Sequence, residues 1–206
     1  MNNTSKIELL PPYEGNIDAD RYLHSIKNII QKERESDPTI ILHTDDEILS
    51  KYASSIVAVF EKKIVGNSSI YPTQMDPLST LAIEGKNIPV GEFWSVIIHP
   101  DFRGMWLGKK ITHQVIEVFA APYKVIVGAT VSDIMYMLMT HQGFQNIPFP
   151  KALYEEGKKY LAPFMQWGEQ EFQKRARCMM YNLKLTEKEK NDLITLLQQE
   201  YIATSI

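Results

Sequence analysis

This chain has little cysteine, little charge excess and no long apolar run. Cys178 is the single cysteine, so no disulfide can close within the chain. No Cys/His spacing resembles a zinc site, and His99 and His113 have no carboxylate or thiol at ligand spacing, so no metal is expected. No uninterrupted apolar stretch reaches the roughly 18 residues of a spanning helix. The start MNNTSKIELL lacks the charged-then-apolar layout of a secretion signal. The expectation is a cytoplasmic protein with no membrane partner. The formal net charge is only −3, from 22 basic and 25 acidic side chains, which leaves no broad positive surface for nucleic acid. The one locally basic run, KRAR at 174–177, has the look of a solvated helix face. GxxxxGK[ST] and GxGxxG are absent, which removes the main support for ordinary ATP or dinucleotide binding. No G-x-S-x-G elbow supports a serine hydrolase, and there is no internal repeat or low-complexity segment.

What is present is ordinary globular composition: 44% hydrophobic and 23% charged over 206 residues, enough for one domain spanning 1–206. Lys6 to Leu10 alternates and stops at Pro11-Pro12, as a first strand would. From Asp18 to Arg34, residues Tyr22, Leu23, Ile26, Ile29 and Ile30 share one helical face, with Asp18 placed to cap it. Thr44-Asp-Asp-Glu47 has capping-box form and predicts a short helix. Ser54–Glu61 and Lys63–Tyr71 read as two strands around a tight turn near Lys62-Lys63. Residues 72–90 lack periodicity and read as a loop. Tyr123–Thr130 reads as a strand, Ser132-Asp133 caps a helix to about His141, and Gly143 ends it. Lys151–Arg175 reads as helix, Cys178–Leu185 as a closing strand, and Thr186 with Glu189 opens a last helix through Glu200. The methionines at 135, 137, 139, 165, 179 and 180 suit core filling or an adaptable pocket.

The chain is organised around Val90–Ala120. Beta-branched and aromatic residues run to a Pro-Asp break, then the turn RGMWLGKK feeds a segment of helical periodicity. A glycine-bracketed turn ahead of a helix aims unpaired N–H groups outward, and the helix dipole adds positive potential, which suits a phosphate or pyrophosphate.

The run Ile98-His-Pro-Asp-Phe-Arg-Gly-Met-Trp-Leu-Gly108 resembles the coenzyme-binding motif of the GNAT superfamily of acyl-CoA-dependent N-acyltransferases, roughly V-x-P followed by (Q/R)-x-x-G-x-(G/A). Ile98, Pro100, Arg103, Leu107 and Gly108 fall in place. Trp106 stands where the family has its middle glycine; the reading taken is that the backbone stays helical there, the indole points away and the N–H still serves the phosphate. The resemblance implies an α/β fold of GNAT type, a mixed, mostly antiparallel twisted sheet flanked by helices, with extra helices at the C-terminal end. The layout covers about residues 6 to 150, and recognisable motifs lie within a core of 90–150, with a helical elaboration over 151–206.

On that resemblance, acetyl-CoA is the co-substrate and a primary amine, small or on a peptide or protein, is the acceptor. Glu92, on the central strand, is the candidate general base, since a mostly protonated amine must lose a proton before it attacks. Of the family's N-x-x-A-x-x-L-Y-x-K-x-G-F pattern, Gly143-Phe144 match, while Met139 replaces the tyrosine and Ser132 the asparagine. Tyr136, one turn earlier, is the candidate acid. Coenzyme contacts fall on Ile97, Ile98, His99, Pro100, Arg103, Gly104, Met105, Trp106, Leu107, Gly108, Lys109 and Ser132. A splayed strand would leave pantetheine-binding groups near Ile98 and Pro100, and a backbone N–H near Ile98 would stabilise the oxyanion. Two other readings stay open: a non-catalytic CoA-binding or regulatory module, and a nucleotide-phosphate enzyme of doubly wound type. The sequence leaves monomer and homodimer equally open.

Overall fold

The structure, a computed structural model, describes residues 6–36, 42–73, 78–83, 85–148 and 175–202. In chain order its elements are β1 (Glu8–Leu10), α1 (Ala19–Ser36), α2 (Asp45–Ser50), β2 (Ser55–Phe60), β3 (Lys63–Pro72), β4 (Ala82–Ile83), β5 (Lys86–Asn87), β6 (Val90–Ile98), α3 (Leu107–Phe119), β7 (Val125–Thr130), α4 (Asp133–His141), β8 (Gln145–Ile147), β9 (Arg177–Asn182) and α5 (Glu187–Ile202). They form a mixed α/β fold whose main sheet is mostly antiparallel and flanked by helices. Two compact units divide the chain, Met1–Tyr71 with Trp94–Phe119, and Pro72–Phe93 with Ala120–Ile206. Strand β6 runs from the second into the first.

In the first unit the strands lie in the order β1-β2-β3-β6. Asp18 caps α1 as its position predicts: Oδ1 accepts the Arg21 N–H at 2.8 Å. The helix then buries Tyr22, Ile26, Ile29 and Ile30 against Val57, Ile64, Trp94 and Ile97. Thr44 and Glu47 exchange the reciprocal hydrogen bonds of a capping box at the start of α2. Glu61 and Lys62 both take positive φ, 47° and 65°, the pattern a two-residue hairpin turn needs even without glycine.

Strand β6 is irregular where it matters. Trp94 and Ile97 both pack in the α1–α2 core although they are three apart. Ile98, like Ile111 of α3, closes over the bare Cα of Gly66. A regular strand sends residues three apart to opposite faces, so the alternation is broken between Trp94 and Ile97. The Ser68 hydroxyl donates to the Trp94 carbonyl at 3.1 Å within this same stretch.

In the second unit the order is β6-β7-β9-β8, with β7 parallel to β6 and antiparallel to β9. Val125, Val127, Cys178 and Met180 point to Leu193 and Leu197 of α5, while Gly128 turns the other way to Met139 of α4 and Phe93. The described residues of 72–90 carry more structure than the loop their sequence predicts. They hold a 3-10 turn at Leu78–Thr80 and the β4–β5 ladder, and Leu78, Leu81, Ile83 and Ile88 join the core. These pieces are too short to show a period. The helix expected over Lys151–Arg175 lies outside the described residues except at Arg175, as do Lys174 of the basic run and Met165. Among the described residues no helix is long and apolar enough to cross a membrane.

Candidate functional site

The turn between β6 and α3 lies in the first unit and begins with a 3-10 turn at Pro100–Phe102. Arg103 is extended; Gly104 and Trp106 then take φ of +77° and +58°. A left-handed residue next to a right-handed one, as Trp106 is to the helical Leu107, turns successive backbone N–H groups towards one side, the geometry of an anion-binding nest. The first bond of α3 runs from Lys110 N–H to the Trp106 carbonyl, so the amides of Leu107 and Gly108 lie ahead of the helical ladder. Met105 and Trp106 are exposed, Trp106 at 74%, and Leu107 is buried as the helix's first anchor. Lys109 has its ammonium 5.8 Å from the Trp106 ring centroid.

Trp106 corrects the expectation of a helical backbone at that position. It adopts the left-handed conformation that a glycine would supply, at a cost of roughly 1–2 kcal/mol for a residue with a side chain. The indole does point away from the protein.

The end of β6 also differs from expectation. The Ile98 N–H donates to Glu33 Oε1 at 3.1 Å, and the His99 N–H to the Val65 carbonyl at 2.9 Å. The amide assigned to an oxyanion therefore already has a partner. The same Glu33 oxygen accepts from Arg103 Nη2 at 3.1 Å, with the carboxylate buried and the guanidinium half-exposed. Sequence reasoning missed Glu33, although a signal was there: it falls on the stripe Tyr22, Ile26, Ile29, Ile30, the one charged residue on an apolar face. One residue earlier, Lys32 Nζ lies 2.9 Å from His99 Nε2. The Asp101 N–H donates to the other ring nitrogen, His99 Nδ1, at 3.3 Å, and Asp101 Oδ2 lies 3.6 Å from that same atom. His113 is on the solvent face of α3, beside Glu117 at 3.2 Å.

The second unit carries Glu92, Ser132 and Tyr136. Glu92 pairs in register with Val127, is half-buried, and accepts from the Thr73 hydroxyl at 3.3 Å. Its charge helps raise the buried Cys178 thiol, although burial is the larger cause and pushes that pKa up to about 12. Cys178 is an inert core residue. Ser132 is the N-cap of α4: its hydroxyl accepts the Met135 N–H at 3.4 Å. Tyr136 is half-buried, with the Arg177 guanidinium 5.8 Å from its ring centroid. Met139 is buried against Gly128. Among the described residues no cluster of His, Cys, Asp or Glu is placed to hold a metal.

No protein-family profile matches the chain, and no curated protein sequence does. Solved structures do, and the fold they share is that of the GNAT acetyltransferases. The chain is similar to a GNAT-family acetyltransferase of Staphylococcus aureus Mu50, at 15% identity and a TM-score of 0.55, covering 87% of this chain and 100% of that one. It is similar to the polyamine N-acetyltransferase of Drosophila melanogaster, which forms N-acetylagmatine, at 12% identity and 0.56, covering 86% and 100%. It is also similar to a chain of the NatC complex solved with a Gag peptide and CoA, at 16% identity and 0.57, covering 87% and 99%. At these identities the likeness is one of fold.

Proposed function

We propose that this protein transfers an acetyl group from acetyl-CoA to a primary amine. The observation that carries the reading is the left-handed turn at Gly104 and Trp106, which opens a nest of backbone amides at the start of α3 directly after a strand whose alternation is broken. A diphosphate needs several converging donors and a nearby cation, and Arg103 and Lys109 flank those amides. That three GNAT-fold structures are acetyltransferases, one with CoA bound, supports the same choice of co-substrate.

In this reading Glu92 takes a proton from the acceptor's ammonium, leaving a neutral amine. Its nitrogen attacks the thioester carbonyl, the C–N bond forms, the C–S bond breaks as the carbonyl re-forms, and the nitrogen sheds its second proton to solvent; CoA leaves as a thiolate that takes up a proton from Tyr136, itself reprotonated by solvent, or from solvent directly. No covalent enzyme intermediate is required. The Thr73 hydroxyl donates to one Glu92 oxygen, which helps to orient the carboxylate. A CoA-binding module without turnover is the second reading, favoured by the Ile98 amide being already bonded to Glu33.

A thermal-shift panel tests the reading. Acetyl-CoA at a hundred times its dissociation constant should stabilise by about 2.7 kcal/mol, and ATP or NAD should not. A shift with ATP or NAD alone overturns it. With a turned-over amine in hand, Glu92→Gln should lower kcat by about 100-fold or more, the usual worth of a general base. Unchanged kcat would remove Glu92 from the chemistry.

A further inference from the structure

We infer that Glu33 is a positioning residue for the coenzyme, a role that rests on the acetyl-CoA reading above. A single buried carboxylate oxygen receives two donors: the Ile98 amide where β6 ends and the Arg103 guanidinium where the turn begins, each at 3.1 Å. Those donors are five residues apart in the chain, and the turn between them has to arrive at Gly104 and Trp106 with both left-handed. Fixing the two ends from a third element, α1, sets the path of the turn. The adjacent Lys32–His99 contact holds the same segment from the same helix.

Glu33 is not a competitor for the diphosphate's place. Its residue is 6% exposed, and pulling its carboxylate away would leave the Ile98 N–H buried without an acceptor. Arg103 is 45% exposed in its side chain, and only one of its five N–H groups is used in this bond. The rest of the fork can face a ligand while Glu33 keeps it from swinging into solvent. An arginine held in this way loses less freedom when it grips an anion, so the benefit should appear in coenzyme affinity and not in the chemical step.

Equilibrium binding of CoA and of pantetheine, which lacks the diphosphate, separates this role from a general effect on folding. Glu33→Gln keeps an oxygen for the Ile98 amide but loses the charge that holds Arg103. It should weaken CoA binding by about tenfold while leaving pantetheine binding unchanged, so the ratio of the two constants falls. In an Arg103→Gln background the same change should have no further effect on CoA. Should Glu33→Gln not fold, Glu33→Asp, with the charge kept and the reach shortened, carries the same test. If wild type binds CoA and the variant's ratio is that of wild type, or pantetheine weakens equally, the positioning role is overturned. If wild type does not bind CoA, the reading of the turn falls first and takes this role with it.

Discussion

A tryptophan doing a glycine's work is costly, and Trp106 can be tested by giving the glycine back. At φ +58° the side chain crowds its own backbone, a penalty of roughly 1–2 kcal/mol, while its stacking with Lys109 at 5.8 Å and 74% exposure returns at most about 0.5–1 kcal/mol. Glycine also leaves the unfolded chain freer, which offsets part of the relief. The three effects nearly cancel, so Trp106→Gly should leave stability within about 0.5 kcal/mol of wild type in urea unfolding, whereas glycine at an ordinary exposed position costs about 0.5–1 kcal/mol. It should also bind CoA at least as tightly, since the amides stay where they are. A loss of CoA binding would mean that the indole itself, and not the backbone, contacts the ligand. The same residue shows how sequence can mislead. Tryptophan resists left-handed backbone, so a helical conformation was the natural expectation, and only the surrounding fold, with Leu107 buried and Glu33 holding Arg103, overrides that preference.

Strand β6 shows what an element reveals and what it hides. Its apolar and aromatic run and the helix after it were legible because Ile97, Ile98, Leu107, Ile111 and Val115 make long, regular patterns, and the capping boxes at Thr44 and Thr186 were legible because side-chain chemistry fixes them locally. β4, β5 and β8 were not, because two or three residues carry no period and depend on partners distant in sequence. The Glu33 bonds were hidden for the same reason: α1 and the turn after β6 are 65 and 70 residues apart along the chain. Within the second unit β6 makes a close approach at Gly91, beside Glu92. A Cβ there would lie 2.8 Å from Cδ2 of the Tyr123 ring and 2.9 Å from Cγ, atoms that cannot fold aside as the tip of a flexible chain could. Tyr123 is buried, and burial raises its pKa. Gly91→Ala should destabilise by about 1–3 kcal/mol, the usual cost of overpacking, and in a Tyr123→Ala background, where the space the methyl needs is empty, the same change should cost less, so that the double variant loses less than the sum of the singles. Chemical denaturation of the single and double variants checks it; a single variant as stable as wild type would mean the ring moves freely.

For the molecule as a whole, stability should fall in acid by two separate routes, one in each unit. In the first unit His43 is half-buried against the Trp94 ring at a centroid distance of 4.8 Å, and its desolvation there lowers its pKa below the ordinary 6.5; nearby Glu47 opposes the shift and Lys51 adds to it. In the second, the Lys124 ammonium at 2.7 Å, then the Thr186 amide and hydroxyl, hold the Glu189 carboxyl down to about 2 from an ordinary 4.5. Both groups bind protons more weakly folded than unfolded. The unfolded chain therefore takes up more protons as pH drops, and acid favours it. The His43 contribution is whole above pH 6.5 and declines as pH falls through the folded value; that of Glu189 is whole above 4.5 and is lost towards 2. Urea midpoints measured from pH 8 down to 3 should decline gently below 6.5 and more steeply below 4.5. His43→Phe, which keeps a ring against Trp94, should flatten the upper part alone. Glu189→Gln should flatten the lower part alone while lowering stability at pH 7, where the Lys124 contact is otherwise intact. A Glu189→Gln profile parallel to wild type between pH 4.5 and 3 would show that the Lys124–Glu189 contact does not persist in solution and that α5 is held by Leu193 and Leu197 without it.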